Sequence, residues 1–219
     1  MLIVICGPSG SGKSTLAKEL QKVLSKNEDA AEVVMTTTRA PREGEKDGID
    51  YHFLSVEEFQ NLIDRDALVY YEEYSGQRFY GVTKDTVREY LKNSDKTGIL
   101  VTTPGGLRQV NKMFTTDKEA MNCMSYYVEC SLGERVKRYI DRIGADKFSF
   151  DDMNEIFARV NRDFGMFLGI EKEVDKIISN NEKSDKFLCI GEMLRDHKEK
   201  KTYLNQLEDR EDQSYPELN

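Results

Sequence analysis

An α/β fold, with a mostly parallel sheet flanked by helices, is predicted by three observations. Apolar runs with strand character alternate along the chain with segments of helical period. The first run, Leu2-Ile3-Val4-Ile5-Cys6, leads straight into a glycine-rich loop. That loop opens onto Leu16 to Leu24, where apolar residues at 16, 17, 20, 23 and 24 share one helical face.

The loop reads Gly7-Pro8-Ser9-Gly10-Ser11-Gly12-Lys13-Ser14-Thr15, a G-x-x-x-x-G-K-S spacing set between strand and helix. Glycines let the backbone turn tightly with its N–H groups inward, and the helix start adds its positive dipole end. Lys13 is placed to reach the β- and γ-phosphates of a nucleoside triphosphate, and the Ser14 hydroxyl to ligand Mg²⁺.

Further along, Ala31 to Met35 reads as a second strand, followed by a polar loop from Thr36 to Gly48. Ile49 to Leu54 alternates as a strand, and Ser55 with Glu58 has the spacing of a helix capping box. Phe59, Leu62 and Ile63 give that helix its apolar face. Leu68 to Tyr71 reads as a strand and Glu72 to Val82 as a hairpin. Gly98 to Thr103 reads as a core strand ending in a Pro104-Gly105-Gly106 turn, and Tyr126 to Cys130 as the next strand. Glu134 to Ile143 is a helix dense in cations, with Arg135, Lys137, Arg138 and Arg142. Asp151 or Asp152 can cap a long helix whose stripe is Met153, Ile156, Phe157, Val160, Phe164, Phe167 and Leu168, with Arg159 and Arg162 on another face. Val174 to Ile178 is the last strand, and a helix follows from Ser184.

At 219 residues the chain fits one large domain, or one with insertions. A net charge of −8 excludes general nucleic-acid binding, which needs a basic face, but not nucleotides, which a few arginines can hold. Cys6, Cys123, Cys130 and Cys189 form no C-x-x-C pair, and His52 and His197 are the only histidines, so reduced thiols without a structural metal are expected. No run approaches the length of a membrane span, and the apolar start breaks at Gly7 without a basic leader. A cytoplasmic protein without membrane contacts is expected, as a monomer or homodimer.

Arg39, Arg42 and the phenols of Tyr51 and Tyr80 suit a second phosphate, since arginine gives bidentate, permanently charged contacts and tyrosine one directional hydrogen bond. The segments Thr37-Thr38-Arg39-Ala40-Pro41-Arg42-Glu43-Gly44-Glu45 and Asp47-Gly48-Ile49-Asp50-Tyr51-His52-Phe53 resemble the acceptor signature of guanylate kinases. So do Ser75-Gly76 and Tyr80-Gly81, and with the glycine loop the match covers about the first 85 residues. The resemblance implies a P-loop core in a single kinase domain at 1–207, with an acceptor-binding insertion near 35–83 and a helical lid near 135–165. Residues 208–219 form an acidic tail expected to be loose. It further implies ATP and Mg²⁺ as cofactors, donor contacts from Gly7, Ser9, Gly10, Ser11, Gly12, Lys13, Ser14, Thr15, Arg138 and Asn180, and acceptor contacts from Arg39, Arg42, Tyr51 and Tyr80. Lys13, Arg39, Arg142 and Arg159 are its candidate catalytic set. The stretch between Arg142 and Arg159 is longer than the family's.

Where guanylate kinases read guanine, this sequence departs. The family's serine before T-T-R is Met35, its strand glutamate is Tyr70, the serine after Tyr-Gly is Val82, and its D-x-D is Val101-Thr102-Thr103. Glu72 shares the strand face of Tyr70 and Glu73 does not, which makes Glu72 the better substitute. The expectation is therefore ATP-dependent phosphorylation of a nucleoside monophosphate, GMP by family default. The alternatives are another phosphate monoester, such as a ribose phosphate or a different nucleotide, or an inactive binding module.

Overall fold

A computed structural model describes residues 1–74, 78–92, 95–182 and 185–214. Two sheets organise it. Strands β1 (Leu2–Cys6), β2 (Asp29–Glu32), β7 (Lys96–Thr102), β8 (Cys123–Glu129) and β9 (Lys176–Ser179) form a parallel sheet in the order β2-β7-β1-β8-β9. The four-stranded sheet has the order β4-β3-β6-β5, from β3 (Thr36–Thr37), β4 (His52–Phe53), β5 (Leu68–Tyr74) and β6 (Arg78–Thr83).

Central β1 is buried along its whole length, which is why it reads as a continuous apolar run rather than an alternating one. Ile3 and Ile5 pack with helix α1 (Lys13–Leu24) and with Cys189, Ile190 and Met193 of α8 (Asp185–Ser214). Leu2, Val4 and Cys6 face Val87 and Leu91 of α3 (Lys84–Lys92) and Leu107 and Val110 of α4 (Pro104–Asn111). In α1 the residues Leu16, Ala17, Leu20 and Leu24 are buried. Each fully buried leucine contributes about 1.5–3 kcal/mol, so the helix that follows the glycine loop is held firmly at its start.

The expected strand 31–35 is divided between the sheets. β2 ends at Glu32, the Val33 amide makes one more bond to Ile99 O (2.9 Å), and the Met35 carbonyl already accepts from His52 N (2.8 Å) in the second sheet. Ile49 lies outside any strand and is exposed, so the expected strand 49–54 shortens to two residues. The expected turn at Pro104-Gly105-Gly106 is instead the first turn of α4. Thr103 caps it by accepting from Gly106 N, and Pro104 at the first helical position loses no hydrogen bond. Helices α3, α4 and the short α5 (Asp117–Met121) went unread in the sequence.

The capping box at Ser55 and Glu58 is present at the start of α2 (Val56–Asp64). Strands β5 and β6 pair antiparallel; the Ser75-Gly76 turn between them lies outside the described residues. The cation-rich helix is α6 (Leu132–Ile143), and the long helix that follows is α7 (Phe150–Met166). Ser149 caps α7 in a box with Asp152, rather than Asp151 or Asp152 acting as the cap. Its expected apolar stripe is only partly inward: Ile156 is buried, but Phe157, Phe164 and Leu168 are exposed. The last strand runs 176–179 rather than 174–178. The backbone of α8 stays helical to Ser214, seven residues into the segment read as a tail.

Candidate functional site

The glycine loop joins the C-terminal end of β1 to α1, and β1 lies between the parallel strands β7 and β8, so the loop sits at the carboxyl edge of the sheet, where open parallel sheets bind ligands. Gly10 and Gly12 have φ of 82° and 89°, a left-handed backbone that favours glycine. A Cβ at Gly12 would also collide with the Asn180 side-chain amide and lie 3.3 Å from Arg138 Nη1. The loop's carbonyls are tied outward: Asn180 Nδ2 donates to Ser11 O (2.7 Å), and Arg138 Nη1 donates to Ser11 O (3.2 Å) and Gly10 O (3.4 Å). Arg138 Nη2 reaches Asn180 O at 2.9 Å, so one guanidinium joins the loop to β9. With these carbonyls engaged, loop N–H groups can turn to the concave face, where Ser9 N already donates to Asp163 Oδ2 (2.7 Å), while Ser11 N donates to Pro8 O (3.1 Å).

The Lys13 ammonium donates to Pro8 O (3.3 Å), and its pKa is lowered, first by burial. An anion in the loop would offset that desolvation. The hydroxyl-bearing Ser14 and Thr15 stand in the first turn of α1. Gly7 admits no side chain, since a Cβ there would approach Ser11 Oγ to 2.7 Å and Val128 O to 2.8 Å. A cleft of about 390 Å³ continues from Gly12 and Thr15 past Arg138 and Asn180 to Lys186 and Phe187.

Arg39, Tyr51 and Tyr80 are brought together on the second sheet. The Arg39 guanidinium lies 5.4 Å from the Tyr51 ring centre and 5.8 Å from that of Phe53, and the Tyr51 and Tyr80 rings are 6.0 Å apart, edge to face. Its two terminal nitrogens donate to Glu45 Oε1 (2.9 Å) and Oε2 (2.8 Å), a bidentate fork. Glu45 Oε2 also accepts from Arg42 N (2.7 Å). Hydrogen bonding to Glu45 raises the Arg39 pKa, and the same contact holds the Glu45 carboxyl below its usual range. Arg42 is exposed at the rim, contributing its amide. Glu45 was part of the quoted motif but not among the candidate residues.

On β5, Glu72 pairs opposite Tyr80, on the face that also carries Tyr70, while Glu73 pairs opposite Phe79, whose ring stacks on Phe59 of α2 (5.3 Å). The Tyr70 ring packs against Gly106, where a Cβ would meet its Cε1 at 2.7 Å. Val82 is fully buried, and the Thr103 hydroxyl is engaged in its cap.

The arginines expected on a lid divide. Arg142 and Arg159 both stack on the Tyr139 ring, each 5.5 Å from its centre, and Arg159 is also paired with Glu155 (2.5 Å). Arg135, from the same cation-dense helix, reaches the glycine loop instead: its Nε donates to Ser9 O (2.7 Å) and its Nη2 to Asp163 Oδ2 (2.5 Å). Asp163 carried no signal in the sequence, sitting among polar residues of α7. All four cysteines are buried and free, with burial pushing the Cys6 thiol up to about 12. Among the described residues no cluster of three metal-ligating side chains occurs, and no helix is long and apolar enough to cross a membrane.

A glycine-rich loop between the central strand and the first helix of a parallel sheet gives the chain a P-loop type of α/β architecture. The guanylate kinase family model matches residues 1–197. The guanylate kinase of Fusobacterium nucleatum is 32% identical over 181 residues, 83% of this chain and 88% of that one. That of Synechococcus elongatus is 33% identical over 181 residues, 83% of this chain and 90% of its own length. The crystal structure of guanylate kinase from Anaplasma phagocytophilum shares the fold, with a TM-score of 0.61 at 23% identity over 89% of this chain and 84% of that one. The chain belongs to the guanylate kinase family.

Proposed function

We propose that this protein transfers the terminal phosphoryl group of ATP to a nucleoside monophosphate, with GMP as the acceptor. The observation that carries the reading is the bidentate fork of Arg39 on a carboxylate, beside Tyr51 and Tyr80. Two oxygens of Glu45 occupy the fork, and a phosphate monoester offers the same pair of oxygens with more charge. The Tyr51 phenol, its pKa raised by burial, stays protonated and able to donate.

In this reading the inward amides of the glycine loop and Lys13 bind the donor phosphates, and the cleft toward Lys186 and Phe187 takes the donor nucleoside. The site fits Mg²⁺ as a largely hydrated ion: an oxygen donor, Ser14, stands beside the phosphate cradle, and the nearby strand end carries Thr102 and Thr103. When bound, the ion neutralises charge on the donor phosphates. Arg39 and the two phenols orient the acceptor phosphate, and no covalent intermediate with the protein is required. Closing of α6 and α7 excludes water.

For the base, Glu72 is our candidate reader of guanine N1–H and N2–H₂, because it shares the face of Tyr80. A second reading has its own support. The Tyr70 ring occupies the floor beside Gly106, and Met35, Val82, Thr102 and Thr103 supply no carboxylate. That arrangement favours an acceptor lacking guanine, such as a pyrimidine nucleotide or a ribose phosphate. A panel of monophosphates with ATP and Mg²⁺, followed by ADP release, tests both. Turnover of GMP above all others is expected. Turnover of a non-guanine acceptor alone selects the second reading, and ATP binding with no turnover of any acceptor overturns the kinase assignment.

A further inference from the structure

The buried carboxylate of Asp163 sits where a carboxylate needs explaining. Its side chain is only 5% exposed, on a helix whose neighbouring inward residue is Ile156. Burying an ionised carboxylate costs several kcal/mol unless partners satisfy it. Its partners are the backbone N–H of Ser9, 2.7 Å from Oδ2, and the Arg135 guanidinium, 2.5 Å from the same oxygen. Arg135 Nε closes the figure on Ser9 O at 2.7 Å, so the N–H and the C=O of one glycine-loop residue are gripped from α7 and α6. Oδ1 faces a second cation, 4.0 Å from Arg162 Nη2.

A loop N–H, an arginine and the nearby lysine are the partners that such loops give to phosphate oxygens. We propose that Asp163 is an internal stand-in for the terminal phosphate of the donor, and that Arg135 is the lid cation which passes from Asp163 to that phosphate when ATP binds. This rests on the reading that the glycine loop takes a nucleoside triphosphate. Without nucleotide, Asp163 balances the cations gathered at the loop and holds α6 and α7 down on Ser9. An arriving triphosphate brings more negative charge to the same groups, and like charges side by side in a site of low water content are strongly penalised. The carboxylate is therefore displaced, and the strength of its contact is subtracted from ATP affinity. A diphosphate lacks the competing group and leaves Asp163 in place. Arg142 and Arg159 engage Tyr139 and Glu155 in this state, Arg159 also lining a small cavity beside Ser9 and Gly10, whereas Arg135 bonds the loop directly.

Calorimetric dissociation constants for ATP and ADP, measured on the full chain without acceptor, test this. Asp163→Asn keeps size and an accepting oxygen but removes the charge. ATP is expected to bind about tenfold tighter to it, with ADP changed less than about twofold, the loss of one charge-assisted contact being felt by ATP alone. Arg135→Gln is expected to do the reverse, weakening ATP about tenfold and leaving ADP nearly unchanged. Unchanged ratios of ATP to ADP affinity in both variants, or weaker ATP binding by Asp163→Asn, would overturn the stand-in while leaving the donor reading intact. If Asp163→Asn does not fold, Arg135→Gln decides alone. Failure of the unaltered chain to bind either nucleotide would remove the donor reading and this inference with it. Acceptor turnover enters none of these measurements.

Discussion

The glycine loop and the Arg39 cluster both present cations and donors suited to phosphate, but they are built from different material. The loop rises from a strand buried on both faces, and its shape is set by backbone: two left-handed glycines, carbonyls tied back by Asn180 and Arg138, and a helix anchored by buried leucines. The Arg39 cluster flanks two strands of two residues and one of six that carries Tyr80, and its shape is set by side chains that lock one another: Arg39 on Glu45, Tyr51 against Tyr80. Backbone cradles recognise phosphate whatever is attached to it. Side-chain clusters can be re-aimed by single substitutions, and it is beside this second site that the sequence departs from the base-reading pattern the resemblance leads one to expect.

On that contrast, the largest loss is expected from the loop's lysine. Lys13→Ala is expected to lower kcat on the order of 10²–10³-fold, as removal of a preorganised charge does at a reacting centre. Steady-state turnover checks it, and a folded variant that retains most of its activity would break the proposed donor role. Arg39→Ala comes next, at about 10²-fold in kcat/KM for the acceptor, since two charge-assisted bonds are lost together. Its ATP affinity should stay put. A matching loss of ATP binding would mean that the two sites are not separate.

These two positions were also the most legible in the sequence, for physical reasons. A glycine-lysine loop between strand and helix has few other uses, so its residues, spacing and flanks point the same way. The Arg39 to Phe53 stretch was legible through a motif, although its backbone was not: Ile49 looks like a strand residue and is exposed because the chain turns there around Gly48. Helix α4 was missed because Pro-Gly-Gly reads as a turn, and only the Thr103 cap together with Pro at the first position makes a helix start of it. The lid was the least legible. Arg135 and Asp163 meet across 28 residues of sequence, and nothing in the local pattern of either helix says which of several cations will face the loop.

A smaller effect sharpens the contrast from the acceptor side. Glu72→Gln should lower kcat/KM for GMP about tenfold, by weakening charge-assisted bonds to the base, while leaving a pyrimidine monophosphate's value within about twofold. An equal loss for both acceptors would show that Glu72 acts through Tyr80 rather than on the base.

The smallest effect concerns what keeps the donor half rigid. His197 of α8 is buried against the seam with α1, its Nε2 2.8 Å from Glu28 Oε1, and Lys201 pairs with the same glutamate. Burial lowers the His197 pKa, and Glu28 only partly opposes this, while Lys201 adds to the lowering. A histidine with a depressed folded pKa takes up protons more readily when unfolded. Its contribution is therefore unchanged above the unfolded value of about 6.5 and is lost as pH falls below it. Glu28, whose own pKa is lowered, begins to lose its contribution only near the ordinary carboxylate range, a more acid window. Thermal melting between pH 7.5 and 5 should thus show a larger fall in Tm for the native chain than for His197→Gln, while Arg39→Ala tracks the native chain. Parallel curves for the native chain and His197→Gln would mean that the imidazole titrates alike in the folded and unfolded chain, and a smaller fall for the native chain would mean that it is charged in the fold and paired with Glu28.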